Sequence, residues 1–314
     1  MKETNKKVSI LLAAMGGPDA VEAIPQYLYN IFLDRTLIRL PGGAILQKPF
    51  AYLISRLRSS KVRDHYNLIG GASPLLKWTE IQARLIEENL KSEYPNLKCY
   101  IGMRYYHPTI FDTVAEMKAE GCEHIIVLPM YPQYSTVTTG SSMEELGRAL
   151  KRFPRMTFTH IKDFHDYPEY IDLIRKYIDR FTKPDDTLLF SAHSLPQKFV
   201  EEGDPYVDQI YQTAKLAANG REYFVSFQSR TGPVDWVGPD TIDETHRLLE
   251  TTKGRICLIP VAFVCDHIET LYEIDIELPE IIGEMAKGRL YRLPMFNDDP
   301  EFGKMLSQLV RERL

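Results

Sequence analysis

The chain has 314 residues, 44% of them hydrophobic and 26% charged, with a formal net charge of −5. This is a globular composition, long enough for one large α/β lobe or two smaller ones, and its negative balance argues against nucleic acid as a partner. No run approaches the ~20 consecutive apolar residues that span a bilayer, and Cys99, Cys122, Cys257 and Cys265, far apart and without a C-x-x-C pair, read as reduced thiols of a cytoplasmic protein.

Lys2, Lys6 and Lys7 precede the apolar run Val8 to Met15, an arrangement that imitates a signal peptide. The run is short, lacks a small-residue cleavage pattern and turns at Gly16-Gly17-Pro18, so it is read as the first core strand. Helical periodicity then alternates with short apolar runs: Ile24–Phe32 and Trp78–Leu90, strand Cys99–Met103, helix Thr113–Ala119, strand His124–Met130, helix Met143–Leu150 and strand Thr157–Ile161. The rhythm repeats with Tyr170–Phe181, Thr187–Phe190, Tyr206–Ala218, Tyr223–Phe227, Asp240–Leu249, a strand over Ile256–Val264 and a helix over Ile268–Met285. Such alternation predicts an α/β fold of two Rossmann-like lobes dividing near Asp163, each a parallel sheet flanked by helices. Met15, Arg104, Tyr131, His193, Gln228 and His267 each fall at or just after a strand, where open parallel sheets bind ligands. No G-x-G-x-x-G or P-loop string follows these strands, so nucleotide binding has no support.

The segment after the last apolar run places Glu269, Glu273 and Glu277 four residues apart, one acidic stripe on an α-helix. Like charges at that spacing repel, and no Lys or Arg lies between Cys265 and Ala286 to relieve them. With His267 at its start, the stripe suits a divalent cation seeking nitrogen and oxygen donors; the alternative is a solvated acidic face. Between Arg35 and Arg63 the chain carries Arg35, Arg39, Lys48, Arg56, Arg58, Lys61 and Arg63 without an acidic residue, interleaved with Leu40, Ile45, Leu46, Leu53 and Leu57. Residues 35–63 therefore read as a peripheral membrane contact, on the inner face of the membrane, or as a helix packed on the core with a basic outer face.

Met15-Gly16-Gly17-Pro18, Phe32-Leu33-Asp34-Arg35, Ile69-Gly70-Gly71-Ala72-Ser73-Pro74, Gly102-Met103-Arg104-Tyr105, Tyr131-Pro132-Gln133-Tyr134-Ser135, Ser191-Ala192-His193-Ser194 and Gln228-Ser229-Arg230-Thr231-Gly232-Pro233 occur in order along nearly the whole chain. Together they resemble the ferrochelatase family, the class II chelatases that insert ferrous iron into a porphyrin. The resemblance implies lobes at 1–162 and 163–298 with the active-site cleft between them, and a last helix, 299–314, packing back on the first lobe. It implies that His193 faces the macrocycle as the base that removes pyrrole protons, with Glu269 as its partner and His267 beside them. A metal path would run over His193, Glu269, Glu273 and Glu277, and the porphyrin would be bound by Met15, Arg104, Tyr105, Tyr131, Trp236 and Phe263. Iron enters as a substrate, no resident cofactor is implied, and the protein is expected to be a monomer or homodimer.

Two departures refine this expectation. Thr136 stands where relatives with an iron–sulfur cluster carry a cysteine, and their C-terminal cysteines have no counterpart before Leu314, so no cluster is expected. Met15 and His65 stand where relatives that use coproporphyrin often carry tyrosine and arginine, which favours protoporphyrin IX and places the enzyme at the terminal step of haem synthesis. The alternatives are a coproporphyrin III ferrochelatase making coprohaem, a chelatase inserting cobalt or nickel into another tetrapyrrole, and a non-catalytic haem or porphyrin carrier with His193 as axial ligand.

Overall fold

A computed structural model describes residues 7–38 and 43–314. Lys2, Lys6, Arg39 and Leu40 lie outside them. The chain divides into two compact units, one comprising residues up to Met130, Thr136–Lys162 and Asn297–Leu314, the other Tyr131–Ser135 and Asp163–Phe296.

In the first unit, strands β1 (Val8–Ala14), β2 (Cys99–Met103), β3 (His124–Pro129) and β4 (Thr157–His160) form a parallel sheet in the order β2-β1-β3-β4. A central parallel strand covered on both faces must be apolar throughout, and Ile10, Leu11 and Leu12 are fully buried; β4, at the edge, is exposed along its length. Helices α1 (Ile24–Leu33), α2 (Gly43–Leu68), α3 (Leu75–Leu90), α4 (Ile110–Ala119) and α5 (Ser141–Leu150) connect and cover these strands. Thr109 starts α4 by accepting a hydrogen bond from the amide of Asp112.

Helix α2 inverts the usual pattern. Its buried positions include Ala51, Ser55 and Ser59, small residues at helical spacing that let it lie close against α1, whereas Ile45 is 87% and Leu57 71% exposed, with Tyr52 and Leu53 also outward. Lys48, Arg56, Arg58 and Lys61 share this exposed surface. Helix α2 therefore packs on α1 with a basic outer face, the second reading of residues 35–63, and carries large apolar side chains on that same face.

The second unit repeats the architecture with β5 (Thr187–His193), β6 (Tyr223–Gln228), β7 (Ile256–Pro260) and β8 (Leu290–Arg292), parallel in the order β6-β5-β7-β8. Strand β7 stops at Pro260 and not at Val264: the ladder's last bond comes from the amide of Val261 to Ser191, after which the chain leaves the sheet. Helices α6 (Pro168–Phe181), α7 (Gln197–Glu201), α8 (Tyr206–Ala218), α9 (Thr241–Thr251) and α10 (Leu278–Ile282) flank the sheet. The single helix expected over Ile268–Met285 is instead a π-helix, Glu269–Glu277, followed by α10 and a short 3-10 turn; Gly283, with φ 68°, ends α10.

Two crossover segments are tied into this unit by side chains. Gln133 donates to Val261 O and Thr213 Oγ1, the Tyr134 amide donates to Gln209, and Ser135 Oγ donates to Asp204. His165 hydrogen bonds Asp163 through Nδ1 at 2.8 Å and Gln212 through Nε2 at 3.2 Å. Finally, α11 (Pro300–Arg311) packs on α3 of the first unit, where Gly303 is required because an added Cβ would lie 2.7 Å from Leu85 Cβ.

Candidate active site

His193 closes β5 and pairs in register with Gln228, which closes β6, so both project from the carboxyl edge of the sheet. His193 Nδ1 lies 2.6 Å from the carbonyl oxygen of Ser194. A carbonyl only accepts, so Nδ1 carries a hydrogen and Nε2 is the nitrogen left for proton uptake. Tyr206 steadies the same residue by donating from its hydroxyl to the His193 carbonyl at 3.0 Å.

Beyond β7 the chain passes Phe263 and Cys265 to His267 and Glu269. Glu269 Oε1 lies 4.0 Å from His193 Nε2 and 3.7 Å from His267 Nε2, so one buried carboxylate oxygen faces two imidazoles. His267 is oriented by the Cys265 carbonyl at Nδ1, and its ring lies against Phe263 with centroids 4.0 Å apart and planes tilted by 54°. Burial pushes the Glu269 carboxyl up, but His193, then His267 and Gln228, outweigh it and hold the group below its ordinary value. Glu273 goes the other way: burial, and then the negative Glu269, raise it to about 8. The acidic stripe is thus relieved by the raised carboxyl of Glu273 and by the two imidazoles that face Glu269. Arg292 pairs with the flanking Asp266 and Asp275, and Glu277 accepts from Tyr272.

The stripe stands on a π-helix, whose wider turn changes how residues four apart stack; such segments are rare and concentrate at functional sites. Ser229 follows β6 with φ 66° and places its hydroxyl 2.5 Å from Glu273 Oε2 and 3.4 Å from Glu269 Oε2. Gln228 donates to Glu269 Oε2 at 3.4 Å. Gln228 Oε1, Trp236 Nε1 and His267 Nε2 are among the buried polar atoms of the described residues that have no hydrogen-bond partner. Trp236 pairs through its backbone with Pro196, three residues after His193. Tyr131, half-buried, begins the crossover segment of the same unit.

Met15, Arg104 and Tyr105 lie in the first unit, at the carboxyl ends of β1 and β2. Arg104 donates to Asp34 Oδ2 at 2.7 Å and to Ser141 Oγ at 2.7 Å, while Tyr105 donates to the same Asp34 oxygen at 2.8 Å. Burial opposes ionisation of Asp34, but the bond from Ser141 and the charge of Arg104 keep its carboxyl below the usual range. Arg104 is therefore compensated from within the protein.

The sequence marks Gln228 only as a residue at a strand end, and it assigns no role to Asp34, Ser141 or Ser229. Gln228 and Ser229 stand in a quoted motif, but nothing in the amino-acid type reveals that a serine there adopts a left-handed backbone. One other cluster among the described residues could approach a cation, Asp163, His165 and Asp166, but both ring nitrogens of His165 are already hydrogen bonded.

A family model described as Ferrochelatase matches residues 7–314. A ferrochelatase of Picosynechococcus sp. is 42% identical over 321 residues, covering 98% of this chain and 83% of that protein. One from Geotalea uraniireducens is 40% identical over 316 residues, covering 98% of both. Among solved structures, SirB from Bacillus subtilis with Fe3+ superposes with a TM-score of 0.56 at 15% identity, covering 98% of this chain and 95% of that one. CbiX, the terminal enzyme for biosynthesis of siroheme in denitrifying bacteria, gives 0.52 at 13% identity over 98% and 100% of the two chains. At such identities these structures establish a shared fold of two parallel-sheet lobes.

Proposed function

The chain belongs to the ferrochelatase family, and from that premise we propose that it inserts Fe2+ into protoporphyrin IX to make protohaem. The observation that carries the catalytic part is the grouping of His193, His267 and Glu269 around one carboxylate oxygen. His193 Nε2, with its partner nitrogen occupied by Ser194, accepts a pyrrole proton. Glu269 stabilises the resulting imidazolium, and Glu273 and Glu277 continue behind it as a track for metal and protons. His267 contributes a buried nitrogen donor, and Phe263 and Trp236 supply apolar surface for a flat macrocycle. A mixed nitrogen and oxygen donor set suits late divalent metals, so zinc competes with iron.

The porphyrin is assigned from the residue types at Met15, His65 and Arg104. Protoporphyrin has two propionates and an otherwise apolar rim, whereas coproporphyrin's four carboxylates demand cationic or hydroxyl partners. Met15 and His65 stand where coproporphyrin-using relatives often have tyrosine and arginine, and Arg104 is neutralised by Asp34. Steady-state kinetics with both porphyrins under one detergent condition test this; a higher kcat/KM for coproporphyrin III would move the enzyme one step earlier in a different route.

The exposed Ile45, Leu53 and Leu57 beside Lys48, Arg56 and Arg58 on α2 support a peripheral contact with an anionic cytoplasmic membrane surface, fitting a poorly soluble substrate. Among the described residues no helix is long and apolar enough to cross a membrane. We also propose that no iron–sulfur cluster is held: Cys99 and Cys122 lie in the first unit and Cys257 and Cys265 in the second, and Thr136 stands where cluster-bearing relatives carry a cysteine. Stoichiometric acid-labile sulfide in the purified protein would contradict this.

A further inference from the structure

We infer that Ser229 is a positioning residue of this site, its hydroxyl fixing the orientation of the Glu269 and Glu273 carboxyl groups for metal capture. The inference rests on the proposed role of the glutamate row. Three described residues other than glycine have positive φ, and two of them, Asn219 and Asn297, are asparagines, a residue type that tolerates the left-handed region. Ser229 is the third. Strain of this kind persists where surrounding structure holds it, and it gathers at functional sites.

What the strained turn achieves is visible in the distances. Gln228 is the last residue of β6 and pairs with His193; the next residue turns so that one small polar atom meets both Glu273 Oε2, at 2.5 Å, and Glu269 Oε2, at 3.4 Å. The two carboxyl groups stand on a π-helix, with Gln228 the other side chain that donates to Glu269 Oε2. Two oxygens must approach a cation to about 2 Å together if both are to hold it. A hydroxyl that gathers them beforehand lowers the cost of capture, and loss of such an outer partner typically reduces metal affinity about 10–100-fold.

The test compares Ser229→Ala, Ser229→Gly and Glu269→Gln with the wild type, using zinc insertion into protoporphyrin IX and calorimetric binding of Zn2+ without porphyrin. Alanine keeps the Cβ and the strain but removes the hydroxyl; glycine removes both and adopts positive φ freely, so it preserves the test if the alanine variant folds poorly. Both serine variants are expected to raise the KM for metal and weaken Zn2+ binding about tenfold or more, with kcat reduced far less. If either folded serine variant kept wild-type Zn2+ affinity and metal KM while Glu269→Gln was impaired, the role of Ser229 would be overturned and the glutamate row would stand. Wild-type behaviour of Glu269→Gln would overturn the reading of the row, and this inference with it.

Discussion

His193 Nε2 and Glu269 Oε1 stand 4.0 Å apart, each presented by a different element of the same unit. That separation exceeds a hydrogen bond, yet one divalent ion with metal–ligand distances of about 2 Å spans it. Base and carboxylate could thus share one cation, whereas 4.0 Å is too short for an atom of the macrocycle to lie between them.

Changing His193 to Ala should remove metal insertion by at least about 100-fold, the lower range of what a positioned base contributes. Porphyrin affinity, measured by fluorescence quenching, should stay within a few-fold of wild type because the apolar contacts are untouched. Turnover near the wild-type rate would reject His193 as the base.

The three glutamates should separate in their effects. Glu269→Gln removes the ionised partner of two imidazoles and should lower kcat severely. Glu273→Gln should be milder, since Glu273 is held protonated near neutral pH, and Glu277→Gln should show chiefly as a raised KM for metal. Equal, wild-type rates in all three would leave the stripe without a part in metal insertion.

Helix α2 yields a prediction about surfaces. Binding to vesicles containing anionic lipid should weaken with added salt, and weaken further when Lys48, Arg56 and Arg58 are changed to Glu, each charge near the surface counting for roughly 1 kcal/mol. Unchanged binding by the triple variant in vesicle sedimentation would place any contact elsewhere.

His165 gives the protein a defined pH dependence of stability. Burial of the ring opposes its charge, but hydrogen bonds to Asp163 and Gln212 and the nearby Asp166 outweigh this and raise it above 6.5. A histidine raised on folding contributes stability that is fully present below 6.5 and is lost as pH rises through the folded value. The Tm deficit of His165→Gln should therefore be larger at pH 6 than at pH 9. A deficit that does not change with pH would show that the ring's charge plays no part.

The alternating rhythm of the sequence revealed the sheets because buried parallel strands such as Ile10–Leu12 must be continuously apolar. It did not reveal β8, three half-buried residues with no such run, nor the outward turn of α2, where packing against α1 selected Ala51, Ser55 and Ser59 over the larger side chains. His193 and Glu269 were legible as a histidine ending a strand and a glutamate opening an acidic row. Ser229 and Asp34 were not, since their roles depend on a local φ and on partners far along the chain. The π-helix escaped for a related reason: four-residue spacing reads as α-helical, and only tertiary contacts show otherwise.

The central claim is catalysis of metal insertion, and one anaerobic measurement addresses it directly. Purified protein is mixed with ferrous iron and a large molar excess of protoporphyrin IX in detergent, and the absorption spectrum is followed in time. Many equivalents of protohaem should form per protein, with none above background for His193→Ala. Conversion limited to one equivalent, or porphyrin bound without metal entering it, would contradict the account and leave a carrier in its place.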